Sequence, residues 1–341
     1  MVTSPDDVPT LTDGEVTLRA HRPSDVDEMA VQCTDPEYGF AVEAPHADGV
    51  RRFAGSCGLR LLGEGKAEIT FGLHPDARGR GTGTRVVKLL LDWGFQQPGI
   101  DVVVWFAPVG DWGSRRVVWS NGFTIDATLT RFMTRGGKWT DTWFGTLRAD
   151  DSREPKTPWH LPPVLETDRL HLRPLRETDA DRLGEMHTDE RDQRFVGRYL
   201  AGDRGDPVKK IRRQLDRNAR GEGYDWCIAD PETDQLIGHI HLWDLGGFDP
   251  TSAQLGYSVH PSARGRGVLT ASLGLVADWA FLSGGFRRLF LGTAASNAAS
   301  RYAAEKAGFT HIATEPDTFP TGESGFEELV TYHRLNPNWT P

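Results

Sequence analysis

His74-Pro75-Asp76-Ala77-Arg78-Gly79-Arg80-Gly81 returns almost unchanged as His260-Pro261-Ser262-Ala263-Arg264-Gly265-Arg266-Gly267, 186 residues further along the chain. In each copy the segment lies between a strand-like run and a helix-like run. Its glycines let the backbone approach a ligand closely, since no Cβ intervenes. The helix that follows points free N–H groups at whatever anion sits on the loop. A chain that carries such a loop twice reads as two copies of one anion-binding domain.

The repeat continues outward from the loop. Asp92-Trp93-Gly94-Phe95 matches Asp278-Trp279-Ala280-Phe281, Ser114-Arg115 matches Ser300-Arg301, and Gly122-Phe123-Thr124 matches Gly308-Phe309-Thr310. No gap is needed from Phe71 to Thr124. Nearer each start, Leu18-Arg19 matches Leu172-Arg173 and Asp25 matches Asp179, but the offset there is 154. The difference of 32 residues puts a gap between Asp35 and Phe40, opposite Asp189 to Trp226. The second copy fills it with helix-like, charged sequence that includes Val208-Lys209-Lys210-Ile211-Arg212-Arg213-Gln214-Leu215. Four prolines, Pro155, Pro158, Pro162 and Pro163, mark a linker. The expected division is a first domain over 1–149, a linker over 150–163 and a second domain over 164–341.

Both copies show the same order of elements. Strands are expected at Val16–Arg19, Phe40–Val42, Arg52–Leu59 and Glu68–Leu73, matched by Leu170–Arg173, Asp225–Ala229, Gln235–Leu242 and Ala253–Val259. The loop leads into a long helix, Thr82–Phe95 or Val268–Phe281. A strand follows at Val102–Phe106 or Arg288–Gly292, then a short helix at Ser114–Ser120 or Ala298–Ala307, then terminal strands. Strands in sequence followed by a glycine loop and helix give an α+β fold on a mixed sheet, α/β in its central part.

The chain has 341 residues, enough for two domains that each bury a core. A hydrophobic fraction of 38% with 11 Trp and 16 Phe fits a folded protein. Net charge is −9, which disfavours a general nucleic-acid or membrane binder. Cys33, Cys57 and Cys227 form neither a disulfide framework nor a zinc pattern. No metal is expected. The first residues lack a basic segment followed by an apolar one, and no apolar run is long enough to span a bilayer. A cytoplasmic location is the expectation.

Two nucleotide motifs fail. A P-loop needs Gly-Lys-Ser/Thr after its spacer, and neither Thr84-Arg85 nor Thr270-Ala271 supplies it. A dinucleotide fingerprint needs a third glycine where Thr84 and Thr270 stand.

The pattern Arg-x-x-Gly-x-Gly between strand and helix resembles the acyl-CoA pyrophosphate loop of the GNAT N-acetyltransferase superfamily. The blocks Thr167-Asp168-Arg169-Leu170-His171-Leu172-Arg173-Pro174-Leu175, Asn297-Ala298-Ala299-Ser300 and Glu305-Lys306-Ala307-Gly308-Phe309 resemble its ribosomal-protein N-terminal acetyltransferase branch. The chain thus resembles a tandem pair of GNAT acyl-CoA N-acyltransferase domains. The resemblance implies acetyl-CoA as cosubstrate and an amine acceptor, either a small molecule or a peptide N-terminus. It implies direct attack of the amine on a thioester held between two splayed strands. It places Leu73 and Val259 beside the acyl group. It assigns Arg78, Gly79, Arg80, Gly81, Thr82 and Gly83, and Arg264, Gly265, Arg266, Gly267, Val268 and Leu269, to the diphosphate. Asn297 would contact the CoA arm, and Ser300 would protonate the leaving thiolate.

The copies differ at these places. The first has Asp111 at the position of Asn297, and the second has Leu269 at that of Gly83. Ser300 could equally be a helix cap. Tyr302 lies two residues before the position most GNAT enzymes use for a tyrosine acid; that position is Ala304 here. For a general base, Glu315, Glu327 and Glu328 lie in the terminal hairpin, where this branch can place a carboxylate. His239 and His241 alternate on one strand and so face one side; Asp141 is the first copy's counterpart candidate. Trp105, Phe106, Trp112, Trp119, Trp139 and Trp143 read as core or interface. Lys209-Lys210-Ile211-Arg212-Arg213 reads as one solvated helix face. The expectation is that the second copy catalyses. Alternatives are a specialised biosynthetic acyl or aminoacyl transferase on the same fold, and a CoA-binding sensor without turnover.

Overall fold

The computed structural model describes residues 8–25, 38–195, 206–245, 247–321 and 325–340. The chain divides into two compact units, Met1–Lys156 and Thr157–Pro341, and the division falls inside the proline-rich stretch. Asp35 and Cys33, and with them part of the junction expected before Phe40, lie outside the described residues.

The N-terminal unit contains strands β1 (Leu11–Thr12), β2 (Thr17–Arg19), β3 (Tyr38–Pro45), β4 (Arg51–Gly63) and β5 (Lys66–Leu73), then helix α1 (Thr82–Gly94). Strand β6 (Val102–Pro108), helix α2 (Trp112–Trp119) and the hairpin β7 (Thr124–Arg135) and β8 (Lys138–Arg148) complete it. The C-terminal unit runs β9 (Leu165–Thr167), β10 (Leu170–Pro174), α3 (Ala180–Thr188), α4 (Glu190–Phe195), α5 (Pro207–Ala219), β11 (Tyr224–Ala229) and β12 (Leu236–Trp243). It continues with β13 (Ser252–Val259), α6 (Val268–Leu282), β14 (Arg288–Ala294), α7 (Ala298–Lys306), β15 (Thr310–Thr321) and β16 (Gly325–Leu335). Among the described residues each unit forms one eight-stranded sheet in the same order, with the last strand inserted between its predecessor and the crossover strand.

The only parallel pairs in these ladders are β5 with β6 and β13 with β14, each bridged by the long helix. Both ladders are short. They end at Glu68↔Val104 and Gln254↔Phe290, five residues before Leu73 and Val259 close their strands. Beyond those pairs the two strands part, and the opening between them is the structural basis of a site at the sheet centre.

The shared Leu-Arg and Asp positions now have a physical reason. Arg173 donates from both terminal nitrogens to Asp179, at 2.9 and 2.8 Å, and Arg19 does the same to Asp25, at 2.8 and 3.1 Å. Arg173 is 2% exposed and Asp179 4%, so a bidentate ion pair fastens strand to turn in a dry setting. The Gly-Phe pairs end the short helices. Gly122 and Gly308 both have φ +81°, the left-handed geometry that closes a helix C-terminus without a Cβ penalty, and Phe123 and Phe309 then plug the core.

Helix α1 buries Val86, Val87, Leu90 and Leu91 on one stripe, and α6 buries Leu273, Val276, Ala277 and Ala280. These stripes build the main core of each unit with the facing strand residues, such as Ile69, Val103 and Trp105, or Leu255, Leu289 and Leu291. The C-terminal unit has a second core on the opposite sheet face, where Leu183, Met186 and Ile211 pack on Cys227, Ala229 and Leu236. Helices α3 to α5 supply it. The sequence of α4 and α5 is what the first copy lacks, while the positions matching α3 lie outside the described residues.

Candidate active site of the C-terminal unit

In the loop after β13, Gly265 and Gly267 have φ +73° and +76°. A Cβ on either would meet nothing within 4 Å, so the backbone conformation, not space, requires glycine. Gly267 caps α6 with no side-chain hydrogen bond. The first intrahelical bond runs from Ala271 N to Gly267 O at 3.1 Å, which leaves the N–H groups of Val268, Leu269 and Thr270 without an intrahelical acceptor. This is an anion-ready helix start. The loop after β5 repeats it, with Gly79 at +74°, Gly81 at +79° and the bond Arg85 N to Gly81 O at 3.2 Å.

The loop arginines divide their work. Arg264 turns back, donating to Val259 O at 3.3 Å and to Asp189 at 2.6 Å; Arg78 donates to Leu73 O at 2.9 Å. Both therefore brace the end of the strand rather than extending to a ligand. Arg80 and Arg266 are exposed beside their loops.

Strand β13 carries two chemistries because its side chains alternate. On the face of α6 and α7, the Tyr257 hydroxyl lies 2.7 Å from Ser300 Oγ. Burial pushes the Tyr257 phenol up to about 12, so it keeps its proton at neutral pH. Ser300 is 5% exposed and sits in the first turn of α7, where Asn297 accepts from its backbone N–H at 3.3 Å. The cap uses the backbone of Ser300, which leaves its hydroxyl to Tyr257.

On the opposite face, Ser258 lies beside Asp192 of α4 and favours its charged form, and Gly256 lies under the His241 ring. Asp192 is 8% exposed. Burial pushes its carboxyl up to about 6, against the opposing pull of Lys210 and Arg264. Asp225 is fully buried and lies 3.1 Å from His239 Nε2, and Arg217 donates to it at 2.6 Å. Burial pushes the Asp225 carboxyl up, but His239 and Arg217 outweigh that and hold it below its ordinary range. Burial pushes both histidines down, and His239 adds to the effect at His241. The pair is thus a carboxylate beside neutral imidazoles. The rings of His239 and His241 stack at 4.9 Å, as their alternation on one strand requires.

A cleft of about 1100 Å³ joins the two faces at the parting of β13 and β14. Its lining includes Val259, Arg264, Gly265, Gly267, Val268, Leu269, Asn297 and Ser300 from the sequence-based set, with Tyr257, Asp192, His239, His241 and Gln214. Tyr302 reaches its rim, 62% exposed. Arg266 is not in the lining.

Several expected residues lie elsewhere. Glu315 and Glu328 are exposed on the terminal hairpin and do not line the cleft. Glu315 pairs with Leu329, so strand alternation puts it on the face opposite buried Val330, and the register shifts only after it. Glu327 accepts from Ser296 N and Oγ at 3.0 and 2.9 Å, a loop-bracing role. Asp141 accepts from Arg131 N at 2.9 Å within a hairpin irregularity. The basic run of α5 is not one solvated face. Lys209 is exposed, Arg212 pairs with Glu177 and Ile211 is buried, while Lys210 and Arg213 line the cleft with Gln214 and Arg217.

In the N-terminal unit the loop is kept and the surrounding chemistry is not. Phe71 stands where the repeat has Tyr257, and Ser114 instead accepts from Trp105 Nε1 at 3.1 Å. The strand registers Gly55↔Leu73 and Gly238↔Val259 superpose Ser56 on His239 and Gly58 on His241. The pairs Gly39↔Gly58 and Asp225↔His241 then put Gly39 at the place of Asp225. Asp111 caps α2 from Ser114 N at 3.1 Å just as Asn297 caps α7, so that exchange is silent for the helix. Trp105 and Trp143 are buried and Trp112 packs on Trp143 at 4.7 Å, whereas Trp139 is 66% exposed.

Tyr257 and Asp192 were missed by sequence reading. The Phe71/Tyr257 difference inside an ungapped block was the available signal for the first. Asp192 falls in the segment without a counterpart and offered none.

A family model described as acetyltransferase (GNAT) domain matches residues 30–124 and 169–310, more than half of the chain. The chain belongs to this family of acetyltransferase enzymes, with the domain present twice. It is similar to the probable N-acetyltransferase YjcK of Bacillus subtilis (strain 168), 28% identical over 150 residues, which cover 43% of this chain and 83% of the relative. It is also similar to the uncharacterized N-acetyltransferase YoaA of the same organism, 26% identical over 147 residues, 43% of this chain and 82% of the relative. Among solved structures, Mycobacterium smegmatis RimJ in complex with CoA-disulfide aligns at TM-score 0.46 and 17% identity, over 53% of this chain and 90% of that one. The ribosomal-protein-S5-alanine acetyltransferase from Vibrio fischeri aligns at 0.45 and 16%, over 52% and 100%. Among the described residues no helix is long and apolar enough to cross a membrane.

Proposed function

We propose that the C-terminal unit transfers an acetyl group from acetyl-CoA to a primary amine by direct attack. The observation that carries this reading is the hydrogen-bonded Tyr257–Ser300 pair, lying in one cleft with the glycine loop and with Asp192. The diphosphate of acetyl-CoA binds the N–H groups at the start of α6. The thioester lies in the opening between β13 and β14, on the face of Ser300. The amine enters from the face of α4 and α5. Asp192, ionised above about pH 6, takes a proton from the ammonium. The freed nitrogen lone pair attacks the carbonyl carbon, the C–S bond breaks, and Ser300, oriented by Tyr257, donates to the sulfur as charge builds. The thiolate leaves as the thiol, and the second proton of the acylated nitrogen returns to the Tyr257–Ser300 pair, which ends neutral, while Asp192 gives its proton to solvent. Asp225, held by Arg217, fixes the His239 ring beside the base. The acceptor is a small-molecule amine or a peptide N-terminus.

The N-terminal unit supports a different role. It keeps the glycine loop but has Phe71, Gly39, Ser56 and Gly58 at the places of Tyr257, Asp225, His239 and His241. We assign it CoA binding or structural support without turnover.

Thiol release from acetyl-CoA by the full chain, across a panel of amines and peptides, tests the reading. Release with at least one acceptor, abolished by Asp192→Asn, supports it. CoA binding with no release on any amine would favour a sensor instead.

A further inference from the structure

His74 and His260 hold the same place in the repeat, yet their surroundings differ. His260 is satisfied within its own unit: Nε2 lies 3.1 Å from Glu185 and Nδ1 2.8 Å from Ser262 Oγ. Glu185 belongs to α3, and the N-terminal unit has no described counterpart of that helix. Around His74 the repeat has Asp76 in place of Ser262, and the turn after β3 brings up His46, whose ring centroid lies 5.5 Å from that of His74.

His46 is 2% exposed. Its Nε2 lies 2.9 Å from Phe53 O. A carbonyl only accepts, so Nε2 carries the hydrogen and Nδ1 presents a lone pair. That Nδ1 is buried and has no hydrogen-bond partner. His74 Nδ1 accepts from Asp76 N–H at 3.4 Å, the turn-capping bond that His260 Nδ1 accepts from Ser262 N–H at 3.2 Å, and Asp76 Oδ2 stands 3.8 Å from His74 Nδ1. The donor atoms of His46, His74 and Asp76 all lie within 4.8 Å of one another.

We propose that His46, His74 and Asp76 bind a divalent transition-metal ion, zinc by the character of the donor set, beside the N-terminal glycine loop. Two imidazole nitrogens and one carboxylate oxygen are a common three-ligand set for zinc, with water in the fourth position. A metal-bound histidine usually donates its other N–H to a carbonyl or carboxylate, which is what Phe53 O receives from His46. The side chains of His74 and Asp76 are 44% and 58% exposed, so an ion and its water have access. Bound there, the ion fixes the residue that leads into the turn Pro75–Ala77 and the loop. Glu185 does the same for His260 in the other unit. The second cluster, Asp225 with His239 and His241, also falls within 4.8 Å, but Arg217 already occupies Asp225 and opposes a cation.

The test uses the full chain, stripped by chelator, dialysed against Zn²⁺ and then against metal-free buffer, with retained metal measured by mass spectrometry. Co²⁺ loading, read by visible absorption, checks the coordination. The expected result is one zinc per chain and an intense tetrahedral Co²⁺ spectrum, both lost in Asp76→Ser, which copies the other unit's residue, and in His74→Asn. Unfolding scans check that metal-free variants melt with the metal-free parent, and that Zn²⁺ raises the midpoint of the parent alone. Retention of no metal overturns the proposal, as does equal retention by both variants. Loss on His241→Asn with retention by Asp76→Ser would move the ion to the other cluster and also overturn it.

Discussion

The Tyr257 hydroxyl lies 2.7 Å from Ser300 Oγ, while at the same places in the other half of the repeat Phe71 has no hydroxyl to offer Ser114. One oxygen atom thus separates the proposed proton-donating pair from a serine hydroxyl held by Trp105. Tyr257→Phe copies the N-terminal unit and leaves the ring in place. It is expected to lower kcat by about 10²-fold, the scale of a lost proton-transfer partner, with little change in KM for acetyl-CoA. Ser300→Ala should do the same without uncapping α7, since Asn297 accepts from the backbone. Because the two act as a unit, the double variant should be little worse than the poorer single. Multiplicative losses in steady-state kinetics would contradict the pairing.

Asp192 sits where function and stability oppose each other. Its folded pKa, about 6, lies above the ordinary carboxylate value. The protonated form is therefore favoured by folding, and that contribution is lost as pH rises through about 6. Ionised, the group costs on the order of 2 to 3 kcal/mol at neutral pH. Asp192→Asn should raise the unfolding midpoint above about pH 6 and leave it nearly unchanged well below. The same variant should remove the limb of kcat/KM that rises with pH toward a plateau above about 6. A lower midpoint at neutral pH, or an unaltered pH profile, would remove Asp192 from the base role.

The exchange of Gly83 for Leu269 is compensated across a helix contact. A Cβ on Gly83 would stand 2.9 Å from Val117 Cγ2, and the repeat has Ala303 where Val117 stands. Gly83→Leu should cost about 1 to 3 kcal/mol by overpacking. Adding Val117→Ala should recover most of it, a coupling that a double-mutant cycle of denaturant unfolding reads directly.

The buried Arg173–Asp179 pair should be among the costlier ones to break. Asp179→Ala leaves a guanidinium 2% exposed with Asp234 and the Pro174 carbonyl in partial compensation. The expected loss is about 3 to 5 kcal/mol, seen as a lower thermal midpoint for the C-terminal unit. A loss below about 1 kcal/mol would mean water replaces the carboxylate.

Much of this was legible in the sequence because repetition turned single motifs into aligned pairs. The glycine loops, the long helices, the Leu-Arg and Asp positions and the Gly-Phe caps each recur for a backbone reason that local sequence records. Ser300 recurs as Ser114, whereas Asn297 faces Asp111 in the repeat and was marked by resemblance to the family's Asn-x-x-Ser block. Other features depend on what a side chain meets in space. Arg78 and Arg264 fold onto strand carbonyls, which charge alone does not reveal. Glu315 is exposed because its pairing with Leu329 sets it opposite the face of buried Val330, a register that local sequence does not record. The run from Lys209 to Arg213 splits between solvent, core and cleft because a helix distributes five consecutive residues around its axis. Asp192 has no counterpart in the first copy, so no comparison within the chain could mark it.

The central claim, that the C-terminal unit performs the chemistry, is tested most directly by blocking each loop in turn in the full chain. Gly267→Glu and Gly81→Glu each place a carboxylate and a left-handed backbone strain at the mouth of one anion site, where the structure leaves room for the side chain. With thiol release from acetyl-CoA as the readout, Gly267→Glu should abolish turnover and Gly81→Glu should leave most of it. Turnover lost in Gly81→Glu and kept in Gly267→Glu would contradict the account.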